Sequence, residues 1–354
     1  MNESHRQLKV GDTLPQISIQ RTEAEIISSW KNDCSLPLVS VLCHTYNQEE
    51  FVKDALNSFL IQETDFPIEI IVHDDASTDG TAKIIEQYVA EYPNIIKPII
   101  QVENQFSQGI VPSKITYVEA KGKYIALCEG DDYWFDEQKL QRQVDSFEPD
   151  VSMVFHDSIR VEGNVCIDSS YYANGQKPIL GYSPFEMVRG AKVPTASVLM
   201  LSDAIKNVER FNIINGDHYN WSVLARFGRA IFINEPMSVY RHHAGGIWSA
   251  RLVNDKIEAA IKSKKVIFEQ APKRFKFSAL LGFNIMLFEF FSDWKSLNGV
   301  NKKLIVKTSL GALLLLRYCE FKKLKDFKTL VRILMFAFVK FPSCILGFNH
   351  DKKS

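Results

Sequence analysis

Between residues 38 and 156 the chain alternates short apolar runs with amphipathic segments, and that alternation leaves few folds open. Residues 38–43, 68–73, 95–101 and 124–128 are rich in aliphatic and β-branched side chains. Each run is too short for a buried helix and reads as a strand. After the first, Phe51, Val52, Ala55, Leu56, Phe59 and Leu60 fall on one helical face. Asn47 and Glu50 have the spacing of a capping box and predict where that helix starts. Ile84, Ile85, Tyr88 and Val89 mark a second helix, which Pro93 stops, and Pro98 predicts an interruption in the third strand. Residues 114–120 and 137–147 read as further helices, and 151–156 as a further strand. Strand–helix–strand units join parallel strands. The expectation is an α/β chain with a doubly wound, mostly parallel central sheet flanked by helices.

Charge gathers where two of these strands end. Asp74 and Asp75 follow the second, and Glu129, Asp131 and Asp132, with Gly130 among them, follow residues 124–128. In an open α/β sheet the carboxyl ends of the strands share one crevice. Clustered carboxylates there are costly unless a cation or a polyhydroxyl ligand answers them. The bland alternative is a solvated acidic turn. A divalent ion takes oxygen ligands of this kind and can hold a phosphate in turn. The chain has neither GxxxxGK[ST] nor GxGxxG, so a phosphate would be met by a metal and by cationic side chains. Arg241, His242 and His243 are candidates.

Three blocks, taken in order, resemble a known family. They are His44-Thr45-Tyr46-Asn47, then His73-Asp74-Asp75-Ala76-Ser77-Thr78-Asp79-Gly80-Thr81, then Glu129-Gly130-Asp131-Asp132-Tyr133-Trp134. Together they resemble the family 2 glycosyltransferases with the GT-A (Rossmann-like) fold, over about residues 37–249. The resemblance implies a nucleotide-sugar donor, expected to be a UDP-hexose, a divalent metal (Mn2+ or Mg2+) and inversion at the anomeric carbon. By position it implies that Thr45 and Tyr46 adjoin the nucleobase, that Asp75 hydrogen-bonds it and that Glu49 reaches the nucleotide. Glu129 and Asp131 stand where the family has its DXD motif, with Glu129 departing from the usual Asp. Asp131 is the first metal ligand by this reading and Asp132 the alternate. His243 would contact metal or phosphate, and Arg241 would pair with the diphosphate or with a site carboxylate. An inverting displacement needs a base to take the acceptor hydroxyl's proton. Asp217 fits that position; the competing reading is a helix N-cap, and the two are compatible. Thr195 and Ser197 are candidates for the donor-sugar pocket, and Trp248 for either a lid or a core position.

The remaining sequence sets bounds. The 354 residues carry zero formal net charge, which gives nucleic acid no evident footing. Six cysteines lie scattered without a CxxC pair, as suits a reducing cytoplasm and not a zinc site or disulfide framework. The first residues lack an apolar signal-peptide core, and no stretch reaches the roughly 18–20 uncharged apolar residues that span a bilayer. The expected organisation is an arm at 1–36, a catalytic domain at 37–250 (nucleotide half to about 135, acceptor half from 136) and a helical extension at 251–354. Residues 301–354 hold twelve Lys or Arg against three Asp or Glu. They read either as helices lying on an anionic membrane surface or as a solvated cap on the catalytic domain. The expected partners are a nucleotide-sugar donor and a glycan or lipid-linked saccharide acceptor, with the protein cytoplasmic and peripheral at the inner membrane face. Competing functions are a non-catalytic nucleotide-sugar or glycan binder, and a sugar nucleotidyltransferase. The second wants a glycine-rich basic loop where residues 44–47 stand.

Overall fold

A computed structural model of the protein describes residues 9–14, 17–31, 36–172, 180–209, 211, 213, 216–246 and 252–292. Nine strands form one sheet: β1 (Val39–Thr45), β2 (Ile68–Asp74), β3 (Ile96–Ile100), β4 (Tyr124–Leu127), β5 (Tyr133–Trp134), β6 (Val151–Glu162), β7 (Val165–Asp168), β8 (Leu199–Leu201) and β9 (Arg229–Arg241). Their order is β3-β2-β1-β4-β8-β6-β9-β5, with β7 paired to β6. The described helices are α1 (Glu23–Ser28), α2 (Val52–Leu60), α3 (Thr81–Glu91), α4 (Ser113–Glu119), α5 (Lys139–Asp145), α6 (Pro184–Gly190), α7 (Asp203–Lys206), α8 (Gly216–Leu224), α9 (Val253–Gln270) and α10 (Lys276–Ser292).

The first four strands are parallel, as the alternation predicts. Alternate residues Val39, Val41 and Cys43 of β1 and Ile68, Ile70 and Val72 of β2 belong to one core with Val52, Ala55, Leu56 and Phe59 of α2. Leu42, Ile71 and Ile125 are buried as well, so these strands are covered on both faces, which explains their unbroken apolar sequence. Each fully buried side chain of this size contributes about 1.5–3 kcal/mol. The arm joins the same core through Ile26. Arg21 donates to the carbonyls of Leu60 and Gln62, and a Thr22–Glu25 capping box starts α1.

The sheet departs from the expected pattern in its second half. β8 runs antiparallel between β4 and β6, so the sheet is mixed. Thr195–Ser197 form a 3-10 turn, and Leu199–Leu201 after it pair as β8. β9 runs unbroken from Arg229 to Arg241, parallel to β6, with register shifts about Asp157. Pro98 does not interrupt β3, because β3 is an edge strand on which a missing N–H faces no partner. The capping box expected from Asn47 and Glu50 does not form. Phe51 occupies the cap of α2 without a side-chain bond, and Asn47 takes a left-handed backbone, φ 51°.

The described residues fall into two compact units. The first takes the chain to 251 apart from 188–190 and 213–222; the second takes those two pieces and the described residues from 252 on. In the second unit Lys264 donates to the carbonyl of Arg189, and a Cβ on Gly282 would meet that same carbonyl. The basic stretch at 301–354 lies outside the described residues.

Gly122 shows how tightly the first unit is built. A Cβ there would lie 2.5 Å from the amide of Ser40 and 2.8 Å from the carbonyl of Tyr124. These are backbone atoms in paired strands and cannot step aside. Gly122→Ala is therefore expected to destabilise the protein by about 1–3 kcal/mol, read as a lower urea midpoint with unchanged slope.

Candidate active site

The carboxyl ends of β1, β2 and β4 lie side by side, with Thr45 opposite Asp74 and Leu42 opposite Leu127. Two loops leave there and are laced together. The buried Asp74 accepts from the Thr45 hydroxyl at 3.0 Å and from the Ser77 amide at 3.0 Å. The Asn47 amide donates to the Ser77 hydroxyl, and the Asn47 side-chain oxygen accepts from the Thr78 amide at 2.8 Å. The Gln48 amide donates to the Thr81 hydroxyl and the Glu49 amide to Asp79. The Glu49 carboxylate accepts from the Gly80 amide at 2.5 Å. Asp74 and most of residues 77–81 therefore build the loop pair, a role the acidic pattern alone did not reveal. Burial pushes the Asp79 carboxyl up, but bonds from the Thr81 hydroxyl and amide and from the Glu49 amide outweigh it and hold it below its usual value.

Asp75 is turned elsewhere. Its amide donates to the Thr45 carbonyl. Its carboxylate accepts from the Gln105 amide at 2.8 Å and the Phe106 amide at 3.0 Å. Asn104 donates to the Asp75 carbonyl. Asp75 thus orders the loop after β3, and Tyr46 stands exposed beside Thr45.

The acidic run after β4 divides its labour. Glu129 is the most open of the three; it lies 3.4 Å from His44 Nδ1, and His44 Nε2 lies 3.0 Å from the Thr116 hydroxyl. A side chain on Gly130 would force Gln48 and Thr45 aside, because a Cβ would sit 2.5 Å from Gln48 Oε1 and from Thr45 Cγ2. Asp131 Oδ2 lies 3.1 Å from His243 Nε2, with both side chains about 20% exposed. Asp132 is buried and accepts from the Arg241 amide at 2.9 Å. Burial pushes its carboxyl well up, the Asp131 charge adds to this, and the amide and charge of Arg241 pull the other way.

Arg241 is the fixed point of this turn. Its guanidinium donates to the Asp131 carbonyl at 2.9 Å and pairs with Asp54. It lies over the Tyr133 ring at 4.4 Å and the Phe51 ring at 5.2 Å. Arg241 has a carboxylate partner in Asp54. Antiparallel pairing of Tyr133 with Val239 brings it here. Asp54 escaped the sequence reading, although a carboxylate beside Phe51 in the first turn of the helix was the available signal.

The other candidates lie as follows. Ser197 donates to the Pro194 carbonyl within its own turn, and Trp134 donates to the Ala196 carbonyl. Lys139 is wholly buried, donating to Gln143 and lying 3.7 Å over the Trp134 ring, and burial pulls its pKa down to about 7. Asp217 belongs to the second unit, half-buried as the second residue of α8, inside the helix and not at its cap. A first-turn carboxylate is stabilised as the anion by the helix dipole. Trp248 lies outside the described residues.

Among the described residues no three His, Cys, Asp or Glu side chains gather closely enough to hold a metal by themselves. The Asp131–His243 pair offers one oxygen and one nitrogen. That suits a divalent ion whose remaining ligands come from a diphosphate and water.

Comparisons with known proteins bear on what this arrangement does. Residues 40–182 match the family described as Glycosyl transferase family 2. An uncharacterized protein of Mycobacterium tuberculosis is 35% identical over 213 residues, 59% of this chain and 60% of its own length. The chain thus spans about 60% of that relative. The Escherichia coli enzyme WfaP, a UDP-Glc:alpha-D-GlcNAc-diphosphoundecaprenol beta-1,3-glucosyltransferase, is 28% identical over 216 residues, 60% of this chain and 80% of its own. Among solved structures, Staphylococcus aureus TarS 1-349 with UDP-GlcNAc superposes with a TM-score of 0.57 at 17% identity, covering 77% of this chain and 80% of that one. The mannosyltransferase PcManGT of Pyrobaculum calidifontis, in complex with GDP-Man and Mn2+, superposes with a TM-score of 0.51 at 16% identity over 94% of each chain.

The laced loops carry a pH signature. The folded Asp79 pKa lies below the unfolded value of about 3.9. Its contribution to stability is therefore fully present above that value and is lost as pH falls through the folded pKa. The melting-temperature gap between wild type and Asp79→Asn is expected to be widest near neutrality and to narrow in acid. A gap that stayed constant to about pH 2 would contradict it.

Proposed function

We propose that the chain, whose fold is similar to that of GT-A glycosyltransferases and whose residues 40–182 match glycosyl transferase family 2, is an inverting, metal-assisted glycosyltransferase. The donor is a nucleotide-diphosphate sugar, expected to be a UDP-hexose. The acceptor is a lipid-linked saccharide or a growing glycan in cell-surface polysaccharide synthesis. The observation that carries the reading is the Asp131–His243 pair, held by Arg241 at the strand ends next to the loop that Asp75 orders.

Each residue then has a task. Tyr46 and Asp75 take the nucleobase, with Thr45 behind them. Glu49 secures the loop beneath the nucleotide, and Glu129 faces the donor's sugar or ribose. Asp131 and His243 hold a divalent ion, Mn2+ or Mg2+; when bound, such an ion offsets the charge developing on the departing diphosphate. Asp132 is less suited as a ligand because it is buried and one of its oxygens already serves the Arg241 amide. Arg241 maintains the turn, and its charge lies near the diphosphate site. Asp217 takes the proton from the acceptor hydroxyl, so that a single displacement inverts the anomeric centre. The Mn2+ bound alongside GDP-Man in PcManGT supports the metal. The diphosphoundecaprenol-linked acceptor of WfaP supports a lipid-linked acceptor here.

We place the catalytic domain at about 37–250 and a helical extension after it. Among the described residues no helix is long and apolar enough to cross a membrane. The proposed membrane contact rests on the basic composition of residues 302–353 and on a lipid-linked acceptor.

Two variants test the assignment in the full-length protein with Mn2+. Asp131→Asn is expected to remove most of the metal-dependent gain in UDP affinity, read by calorimetry. Asp217→Asn is expected to leave that affinity intact while sugar transfer falls about 10²–10⁴-fold. Transfer at the wild-type rate by Asp217→Asn would remove it as the base.

A further inference from the structure

Four aromatic side chains are exposed among the described residues: Tyr46, Phe106, Phe185 and Phe227. Two of the four adjoin Asp75 through the backbone. The Asp75 amide donates to the carbonyl of Thr45, the residue before Tyr46, and the Asp75 carboxylate accepts from the amide of Phe106. Isolated exposed rings need no explanation. Two rings flanking one residue, Asp75, at the strand ends do.

The loop that carries Phe106 is ordered from within. The Ser107 amide and hydroxyl bond to Asn104, and the Ile110 amide donates to the Gln105 carbonyl. Gly109 closes the turn in the left-handed region, φ 82°. The Phe106 ring, 37% exposed, therefore projects from a fixed backbone, as does Tyr46, 47% exposed, beside the end of β1. A ring partly exposed on an ordered turn is prepared to gain apolar contact on binding.

We propose that Phe106 is a second stacking face for the donor's nucleobase, acting with Tyr46 and the Asp75 carboxylate. This rests on the function proposed above. The chemistry of Asp75 limits the base. Each carboxylate oxygen that receives one amide N–H has a further acceptor direction. A ring N–H fills it, as uracil and guanine provide; adenine and cytosine present no ring N–H on their pairing edge. The aromatic faces add affinity without selecting among such bases, because every base has a π-face.

The test uses full-length protein with Mg2+ and three probes: UDP, GDP and inorganic diphosphate. Phe106→Ala is expected to weaken whichever nucleotide the wild type binds by about tenfold and to leave inorganic diphosphate affinity unchanged. Phe106→Trp is expected to restore nucleotide binding. The melting temperature should fall only modestly, since the ring is partly exposed. With the sugar donor, KM should rise while kcat stays. Equal losses for nucleotide and diphosphate, or no loss for either, would overturn the role of Phe106 and leave the proposed function standing. A wild-type protein that binds diphosphate but neither nucleotide would overturn both.

Discussion

A buried guanidinium organises the acidic end of this sheet. Arg241 joins Asp54 on α2, the carbonyl of Asp131 and the ring of Tyr133, and its own amide caps Asp132. Without it the turn would hold two adjacent carboxylates, one of them buried, with no permanent positive charge against them. Removing the guanidinium would leave the partly exposed Asp54 unpaired and Asp132 without its favourable charge. The arrangement also separates two functions that look alike in sequence. Asp132 is drawn inward to hold the turn, and Asp131 is left facing His243.

β1, β2 and β4 were legible because they are buried on both faces, and an unbroken apolar run reports such burial directly. The mixed half was less legible. Residues 194–201 are uniformly apolar or small, so their pattern did not distinguish a 3-10 turn from a strand. β8 is then only three residues long. The extent of β9 was hidden by Pro236, which the register shifts near Asp157 absorb.

The site shows the same division. Clustered carboxylates were visible as a chemical oddity, and Asp131 and His243, both singled out in the sequence, lie 3.1 Å apart. What composition could not convey was which carboxylates were already engaged. Asp74 spends its acceptors on Thr45 and Ser77, and Asp79 spends its own on Thr81 and Glu49. Asn47 was read as a helix cap because its spacing from Glu50 fits one. Its side chain instead reaches across to Thr78, some thirty residues on. Local spacing rules fail where a long-range partner offers the better bond.

The distance along the chain between Asp131 and Arg241 has a consequence for biosynthesis. The two residues are 110 positions apart. A ribosome adding about 5–20 residues per second releases the first four strands several seconds before that guanidinium exists. During the interval the nascent sheet displays its carboxylates unneutralised. The guanidinium that answers them comes only with the end of the last long strand.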